Sequence, residues 1–332
     1  MEKKLVVSPS PHIHDSATTQ GLMRDVIIAL LPAFAVSVLF FGVNTLLVTL
    51  VSVGVCVGLE WLLQKYVLKV RPTVFDLSAA LTGLLLAMNL PSGIPLYMVA
   101  LGAAFAIGVA KISFGGLGSN LFNPAIAGRI FLLISFPVAM TSWDAPASLL
   151  FSADATSGAT PLAIMAHGIA DGHTPQEIMA EHGFSYFHML FGQTGGSFGE
   201  VSALALLLGF AYLLIRKVIT WHIPVTVFLT VAIFTGIFWL AAPATHPDPL
   251  FHLLSGGLLL GAIFMATDYV TSPMVKKGAV IYAVGIGILT CVIRYWGAFP
   301  EGISFAILIM NAVVPLINLY VKPKRFGKKI NG

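Results

Sequence analysis

The sequence predicts an all-α polytopic membrane protein with ten transmembrane helices in an inverted five-plus-five repeat. Three observations carry this. First, 57% of the 332 residues are apolar and only 10% are charged, against about 25% charged in an ordinary soluble domain. With a mean hydropathy of +0.91, the chain cannot supply the charged surface a soluble protein of this length needs, so lipid solvates most of it. Second, apolar runs of spanning length recur from end to end. Third, a constant shift of 177 residues lays the first half on the second.

A helix needs about 20 apolar residues to cross the hydrocarbon core. The runs at 24–42, 44–64, 75–90, 94–112, 123–140, 200–216, 221–241, 250–268, 278–295 and 302–321 give the ten expected spans. Asn89-Leu90-Pro91 cuts the third, and Asn123-Pro124 opens the fifth. Under the shift, Leu77-Ser78-Ala79-Ala80-Leu81 falls on Leu254-Ser255-Gly256-Gly257-Leu258, and spans one and two fall on six and seven. The Asn123-Pro124 entry falls beside Pro300-Glu301. An odd number of spans per half makes the second half enter from the opposite side, and broken helices in such folds line the internal site. That points to spans three and eight and to the start of span five. The expected organisation is an amino-terminal tail and first repeat over 1–140, an extracytoplasmic loop over 141–199, and a second repeat with its tail over 200–332.

Lys and Arg set the orientation. With the amino terminus and its Lys3 and Lys4 in the cytoplasm, Lys65, Lys69, Arg71, Lys111, Arg216, Lys217, Lys276 and Lys277 fall inside. So does the tail, with Lys322, Lys324, Arg325, Lys328 and Lys329; Arg129 and Arg294 break the pattern. The 141–199 segment falls outside and holds Asp144, Asp154, Asp171, Glu177 and Glu181 without a Lys or Arg. The polar stretch Met1 to Thr19 does not read as a cleavable signal. The net charge of +4 is explained by this sorting, and no nucleic-acid motif accompanies it. Cys56 and Cys291 lie in apolar runs outside any CxxC pair and read as small buried hydrophobes.

The segment Asp154-Ala155-Thr156-Ser157-Gly158-Ala159-Thr160 matches the D-x-x-S-G-A-T acceptor pattern of flavin transferases, which move FMN from FAD onto the last threonine as a phosphoester. That chemistry needs an accessible hydroxyl on a small-residue segment, and Gly158 and Ala159 leave the transferase room to approach. A plain Ser/Gly/Thr turn is the competing reading; its place in an exported loop of a ten-span protein favours the acceptor. Ser157 and nearby backbone N–H groups are candidate donors to the attached phosphate.

Further stretches are Ser8-Pro9-Ser10-Pro11-His12-Ile13-His14-Asp15, Met23-Arg24-Asp25-Val26, Gly118-Ser119-Asn120-Leu121-Phe122-Asn123-Pro124-Ala125 with Gly128-Arg129, Ser135-Phe136-Pro137, and Met140-Thr141-Ser142-Trp143. With the acceptor motif, they resemble the D subunit of the Rnf complex and its homologue, the B subunit of the sodium-pumping NADH:quinone reductase. The resemblance runs from about residue 8 to 322, and the chain length suits the Rnf protein better. It implies a subunit of a bacterial inner-membrane complex that moves electrons between reduced ferredoxin and NAD and couples this to Na+ or H+ transport. It also implies covalent FMN at Thr160, a non-covalent riboflavin within the membrane, and a fold like that of urea and ammonium channels. The implied partners are the other Rnf subunits, including a second covalent-flavin subunit, and the maturing flavin transferase. A channel or secondary transporter is the rival reading, but a plain channel has no reason to carry the acceptor motif.

Asn120, Asn123 and Arg129 lie at the start of span five. Polar groups in lipid usually face the protein interior; the amides suit a flavin edge, and an arginine suits an anionic flavin or a phosphate. The plainer reading is a helix cap at Asn123-Pro124 and an arginine serving backbone carbonyls. Asp76 and Asp268 read as helix caps or interfacial groups ahead of an ion route. His12 and His14 lack further ligands at metal spacing, and His167, His173, His182 and His188 read as surface residues. Gly115-Gly116-Leu117-Gly118 follows a span, not a strand, so it does not fit a dinucleotide loop. No residue is assigned an acid, base or nucleophile role: the protein attaches, orients and tunes the flavin. The chain has no NADH site and no iron–sulfur cysteine set, so partner proteins must deliver the electrons.

Overall fold

The protein is a mostly helical, multi-pass membrane protein. In a computed structural model, residues 18–144, 157–192, 195–299 and 301–323 are described. Among them six helices are long and apolar enough to cross a membrane: Thr19–Phe41, Val43–Val67, Leu96–Phe114, His222–Ala241, Lys276–Trp296 and Ile303–Tyr320. The first, α1 (Thr19–Phe41), starts where the Thr18 side chain accepts the Gly21 N–H. It turns directly into α2 (Val43–Leu62), which runs on through a π-helical turn at Leu63–Val67. Only 22–28% of the spanning windows of these two helices and of His222–Ala241 are buried against protein, against 50% for Leu96–Phe114. They are outer helices, whose exposed side chains, Leu50 and Leu240 among them, belong to lipid.

The remaining expected spans are shorter or broken, for local reasons. The third run forms only α3 (Ser78–Met88), because the Asn89 side-chain amide donates to the Leu85 carbonyl and ends it. After α4 (Leu96–Gly108), α5 (Pro124–Ser135) stops at Phe136, and Pro137 opens the short α6 (Pro137–Thr141). The sixth run is α10 (Ala203–Ile215). The eighth splits into α12 (Pro249–Leu254) and α13 (Leu258–Leu260), the latter extended by a π turn at Gly261–Met265. The split falls at Ser255-Gly256-Gly257, where Gly256 takes φ +67°, a conformation that favours glycine. The other long helices are α11 (His222–Ala241), α14 (Lys276–Trp296) and α15 (Ile303–Tyr320).

Ends of short helices inside a membrane must find partners within the protein. The segment before α10 supplies some: the Gly199 N–H donates to the Met88 carbonyl at 2.9 Å, and Phe198 is fully buried. A Cβ on Gly199 would lie 2.4 Å from the Met88 carbonyl oxygen, so only glycine allows this approach. Helix α5 is central, packed against α3, α4 and α15, while α1 lies on α10 and α11 on α14.

The 141–199 segment, expected as a loop, carries structure of its own. Strand β1 (Trp143–Asp144) pairs antiparallel with β2 (Ser157–Gly158), with Trp143 opposite Gly158. Helices α7 (Pro161–Ala170), α8 (Pro175–Glu181) and α9 (Tyr186–Phe191) follow. Leu162, Met165, Ile178 and Met189 form a small core with Phe251 of α12, and the Tyr186 hydroxyl donates to Asp248 at 2.7 Å. Burial and that carboxylate push the Tyr186 phenol above its ordinary range.

Candidate functional site

Thr160 is the N-cap of α7, and its Oγ1 accepts the Ala163 N–H at 3.2 Å. Two tethers position it. On one side, β2 is held by β1, and β1 is anchored where the Ser92 hydroxyl donates to Asp144 at 2.5 Å in the turn after α3. On the other, Leu162 lies over the α12–α13 break: a Cβ on Gly256 would come 2.6 Å from Leu162 Cδ1. The sequence led us to expect an accessible threonine on a flexible segment. Instead Thr160 is 2% exposed, because the apolar face of the helix it caps is pinned against Phe251 and the helix break.

Thr160 opens on a cavity of about 510 Å³ that it shares with Trp143, His167, Arg129, Arg294, Glu301 and Ser304. Apart from Thr141 the rest of the wall is apolar and includes Leu133, Met140, Phe299 and Phe305. Arg129, in the middle of α5, donates from Nη1 to Asn89 Oδ1 and to Ser304 Oγ, each at 2.9 Å, and from Nη2 to Glu301. Its Nε has no partner among the described residues. Arg294, an exception to the positive-inside sorting, caps the broken helix by donating to the carbonyls of His252 at 2.6 Å and Ser255 at 3.0 Å. Glu200 is buried beside them.

Other candidates fall elsewhere. Asp154 lies outside the described residues, as do His12 and His14, and Ser157 is described only by its backbone in β2. Asn120 and Asn123 are not brought together with Arg129. They line a separate cavity of about 70 Å³ at the other end of α5, with Ser78, Lys111 and Asp268. The Asn123 Oδ1 accepts the N–H groups of Ala125 and Ile126, and its amide donates to the Met265 carbonyl. The Asn120 amide donates to the Phe122 carbonyl, while its Oδ1 is buried without a partner among the described residues. Asp76 caps Ser78, accepting its N–H at 2.8 Å, and Asp268 accepts the Thr271 hydroxyl at 3.0 Å. Lys111, counted in the sequence only as a charge on the cytoplasmic side, is buried against Glu60. His167, read as a surface residue, lines the Thr160 cavity although it remains exposed.

Sequence reasoning assigned no role to Arg294, Glu301, Glu200 or His167. The available signal was a charge inside or beside an apolar run, which in a membrane usually faces the protein interior. Arg294 was visible that way only as an orientation exception.

The family model described as NQR2, RnfD, RnfE matches residues 6–327. The chain is 43% identical over 325 residues to the D subunit of the proton-translocating ferredoxin:NAD(+) oxidoreductase complex of Clostridium ljungdahlii, covering 97% of this chain and 96% of that one. It is 43% identical over 326 residues to the Na(+)-translocating counterpart of Acetobacterium woodii, covering 98% and 96%. It is 40% identical over 334 residues to the D subunit of the ion-translocating oxidoreductase complex of Stutzerimonas stutzeri, covering 95% and 94%. With its match running almost from end to end, this chain belongs to the NQR2, RnfD, RnfE family.

Proposed function

We propose that this chain is the membrane flavoprotein subunit of an Rnf-type ion-translocating ferredoxin:NAD oxidoreductase complex, with FMN bound through a phosphoester to Thr160. One observation carries the reading: the last threonine of the D-x-x-S-G-A-T run opens on a cavity of about 510 Å³ walled by aromatic and aliphatic side chains and two arginines. That volume is in the range of cofactor pockets, roughly 300–1,000 Å³. The residues fit the group. At the start of α7 Pro161 carries no N–H and the Ala163 N–H is held by Thr160 Oγ1, so the Leu162 N–H is the backbone donor left for a phosphate, and Ser157 and Asp154 belong to the same motif. Arg129 lines the cavity and keeps an unpartnered Nε among the described residues, so its guanidinium would suit a planar anionic ring bound there. Bound there, a flavin supplies one- and two-electron chemistry, and the chain supplies attachment, orientation and charge.

The names of the relatives support partner subunits of the same complex, and the acceptor motif supports maturation by a flavin transferase. For the second, non-covalent flavin, such as riboflavin, the reading narrows to Asn120. Its Oδ1 is uncommitted among the described residues, whereas Asn123 is spent on its cap, and the cavity of about 70 Å³ must widen to admit a ring system.

The finer architecture belongs to the same proposal: ten membrane segments in two inverted repeats over 1–140 and 200–332, like urea and ammonium channels, with 141–199 outside and both termini cytoplasmic in a bacterial inner membrane. The helix boundaries support it. The 177-residue shift lays α2, α3, α4 and α5 on α11, the α13 run, α14 and α15. The test of the flavin is a denaturing gel of the chain expressed with a flavin transferase. A fluorescent band is expected under ultraviolet light, and a dark band overturns the reading.

A further inference from the structure

Beneath the Thr160 cavity four ionisable side chains surround the α12–α13 break. A Cβ on Gly257 would meet Glu200 Oε2 at 2.7 Å and Arg129 Nη1 at 3.5 Å, and one on Gly256 would meet Arg294 Nη2 at 3.3 Å and Glu301 Cγ at 3.6 Å. Glu200 precedes α10 and Glu301 precedes α15, so a carboxyl from each of two distant segments reaches the same gap. Both residues are at least nine-tenths buried. The Arg129 guanidinium pairs with Glu301, and Arg294 spends two N–H groups on backbone carbonyls.

Among the described residues no hydrogen-bond donor reaches two of the carboxyl oxygens here, and the two unpartnered guanidinium N–H groups nearby, Arg129 Nε and Arg294 Nε, are not bonded to them. Glu200 Oε1 accepts the Ser197 N–H at 2.9 Å, and one Glu301 oxygen accepts from Arg129. The remaining oxygens, Glu200 Oε2 and Glu301 Oε1, are buried with no donor among the described residues. The two carboxyl groups nevertheless meet at one gap, Glu200 Oε2 against Gly257 and the Glu301 side chain against the adjoining Gly256. Two ionised carboxylates hold no hydrogen between them and repel. A single proton removes the repulsion and satisfies both orphaned oxygens at once. The other polar groups facing this site are Asn89 from the end of α3, Ser304 from α15, the backbone carbonyl of His252 from α12, whose imidazole lies against Tyr295 instead, and His167 from α7 by way of the cavity.

We infer that Glu200 and Glu301 form a proton-binding site that holds one shared proton at rest, between the helix break and the cavity at Thr160. Glu301 also lines that cavity, so negative charge placed there strengthens the hold on the proton through a medium of low dielectric. This last step rests on the proposed flavin; the resting proton does not.

The test is infrared spectroscopy of the full chain in its complex, with and without 13C-glutamate. The proposal expects a buried protonated-carboxyl band that moves with the label and in D2O, disappears in Glu200→Gln, and persists unchanged when KCl is replaced by NaCl. Gly257→Ala, which removes no titratable group but crowds Glu200 Oε2, should shift the band; this variant decides the matter if Glu200→Gln fails to assemble. Absence of the band, its retention in Glu200→Gln, an unmoved band in Gly257→Ala, or its loss on adding sodium each overturns the proton site, the last by marking a cation site instead. On reduction with dithionite the band should move in the wild type and stay fixed in Thr160→Ala. A band present at rest but unmoved in a wild type that carries flavin overturns the coupling. A wild type without flavin overturns the flavin reading and leaves the resting band to stand alone.

Discussion

Lys111 Nζ lies 2.6 Å from Glu60 Oε2 with both side chains essentially sealed from solvent. The ammonium also donates to Ser78 Oγ at 2.7 Å, which is itself held by Asp76. The network ties α2 to the start of α3 and the end of α4, and Gln64 extends it by donating to Glu60 Oε1 at 3.1 Å. An ion pair sealed this way contributes little net stability over a well-packed apolar pair, but losing one partner leaves a buried charge alone, at a cost of about 3–5 kcal/mol. Lys111→Met should therefore lower the thermal midpoint of the detergent-purified chain sharply, and Lys111→Met with Glu60→Leu should recover most of the loss. A double variant no more stable than the single one would sink this account.

Gly199 meets the Met88 carbonyl so closely that an added methyl group has nowhere to go. Gly199→Ala should displace the segment before α10 from the end of α3 and destabilise the protein by roughly 1–3 kcal/mol, as overpacking commonly does. The control is Gly58→Ala in α2, where an added Cβ meets nothing within 4 Å and helix propensity favours alanine by up to about 1 kcal/mol. Thermal midpoints of the two variants should move in opposite directions or leave Gly58→Ala unchanged. Equal losses would contradict the packing argument.

These contacts mark where the sequence stops being legible. The multi-pass class follows from composition, and the break at Asn89 and the cap at Asn123 were visible as polar and proline signals in apolar runs. What the apolar runs hid was length: α3 and α5 stop short because the Asn89 amide and Pro137 end them, α10 begins only at the Ser202 cap, and hydropathy does not register that. Thr160 was legible as the end of a motif, but its burial was not, since that depends on Leu162 meeting Gly256 nearly a hundred positions later. The Arg129–Glu301 pair joins α5 to the entry of α15. No local pattern links such residues; only the cost of a charge in lipid marks each one separately.

Sidedness can be read with thiols. Cys56 and Cys291 are free and fully buried, so neither should react with a membrane-impermeant maleimide. His173, exposed between α7 and α8, and Lys322, exposed after α15, give two reporter positions. In intact cells freed of their outer membrane, His173→Cys should label and Lys322→Cys should not; after lysis both should label. The reverse pattern would invert the orientation and move Thr160 to the cytoplasmic side.

The attachment point itself is the sharpest test. Thr160 Oγ1 caps α7 and the residue lines the cavity, and an esterified oxygen keeps a lone pair for the Ala163 N–H. Thr160→Ser preserves both the hydroxyl and the cap, so it should retain covalent flavin, whereas Thr160→Ala should lose it entirely. The alanine variant also loses an N-cap worth about 0.5–2 kcal/mol, a modest effect on a membrane protein and one that serine should restore. Thr156, the nearby hydroxyl, lies inside the motif and outside the described residues; Thr156→Ala should leave most of the signal. The measurement is the mass of the peptide containing residue 160, which should carry FMN less water in the wild type and in Thr160→Ser. Arg129→Gln should leave that mass unchanged while shifting the potential of the bound flavin downward, because the charge facing the ring is lost and reduction adds negative charge there. Flavin mass retained in Thr160→Ala would place the attachment elsewhere, and an unchanged potential in Arg129→Gln would show that the ring does not sit in this cavity.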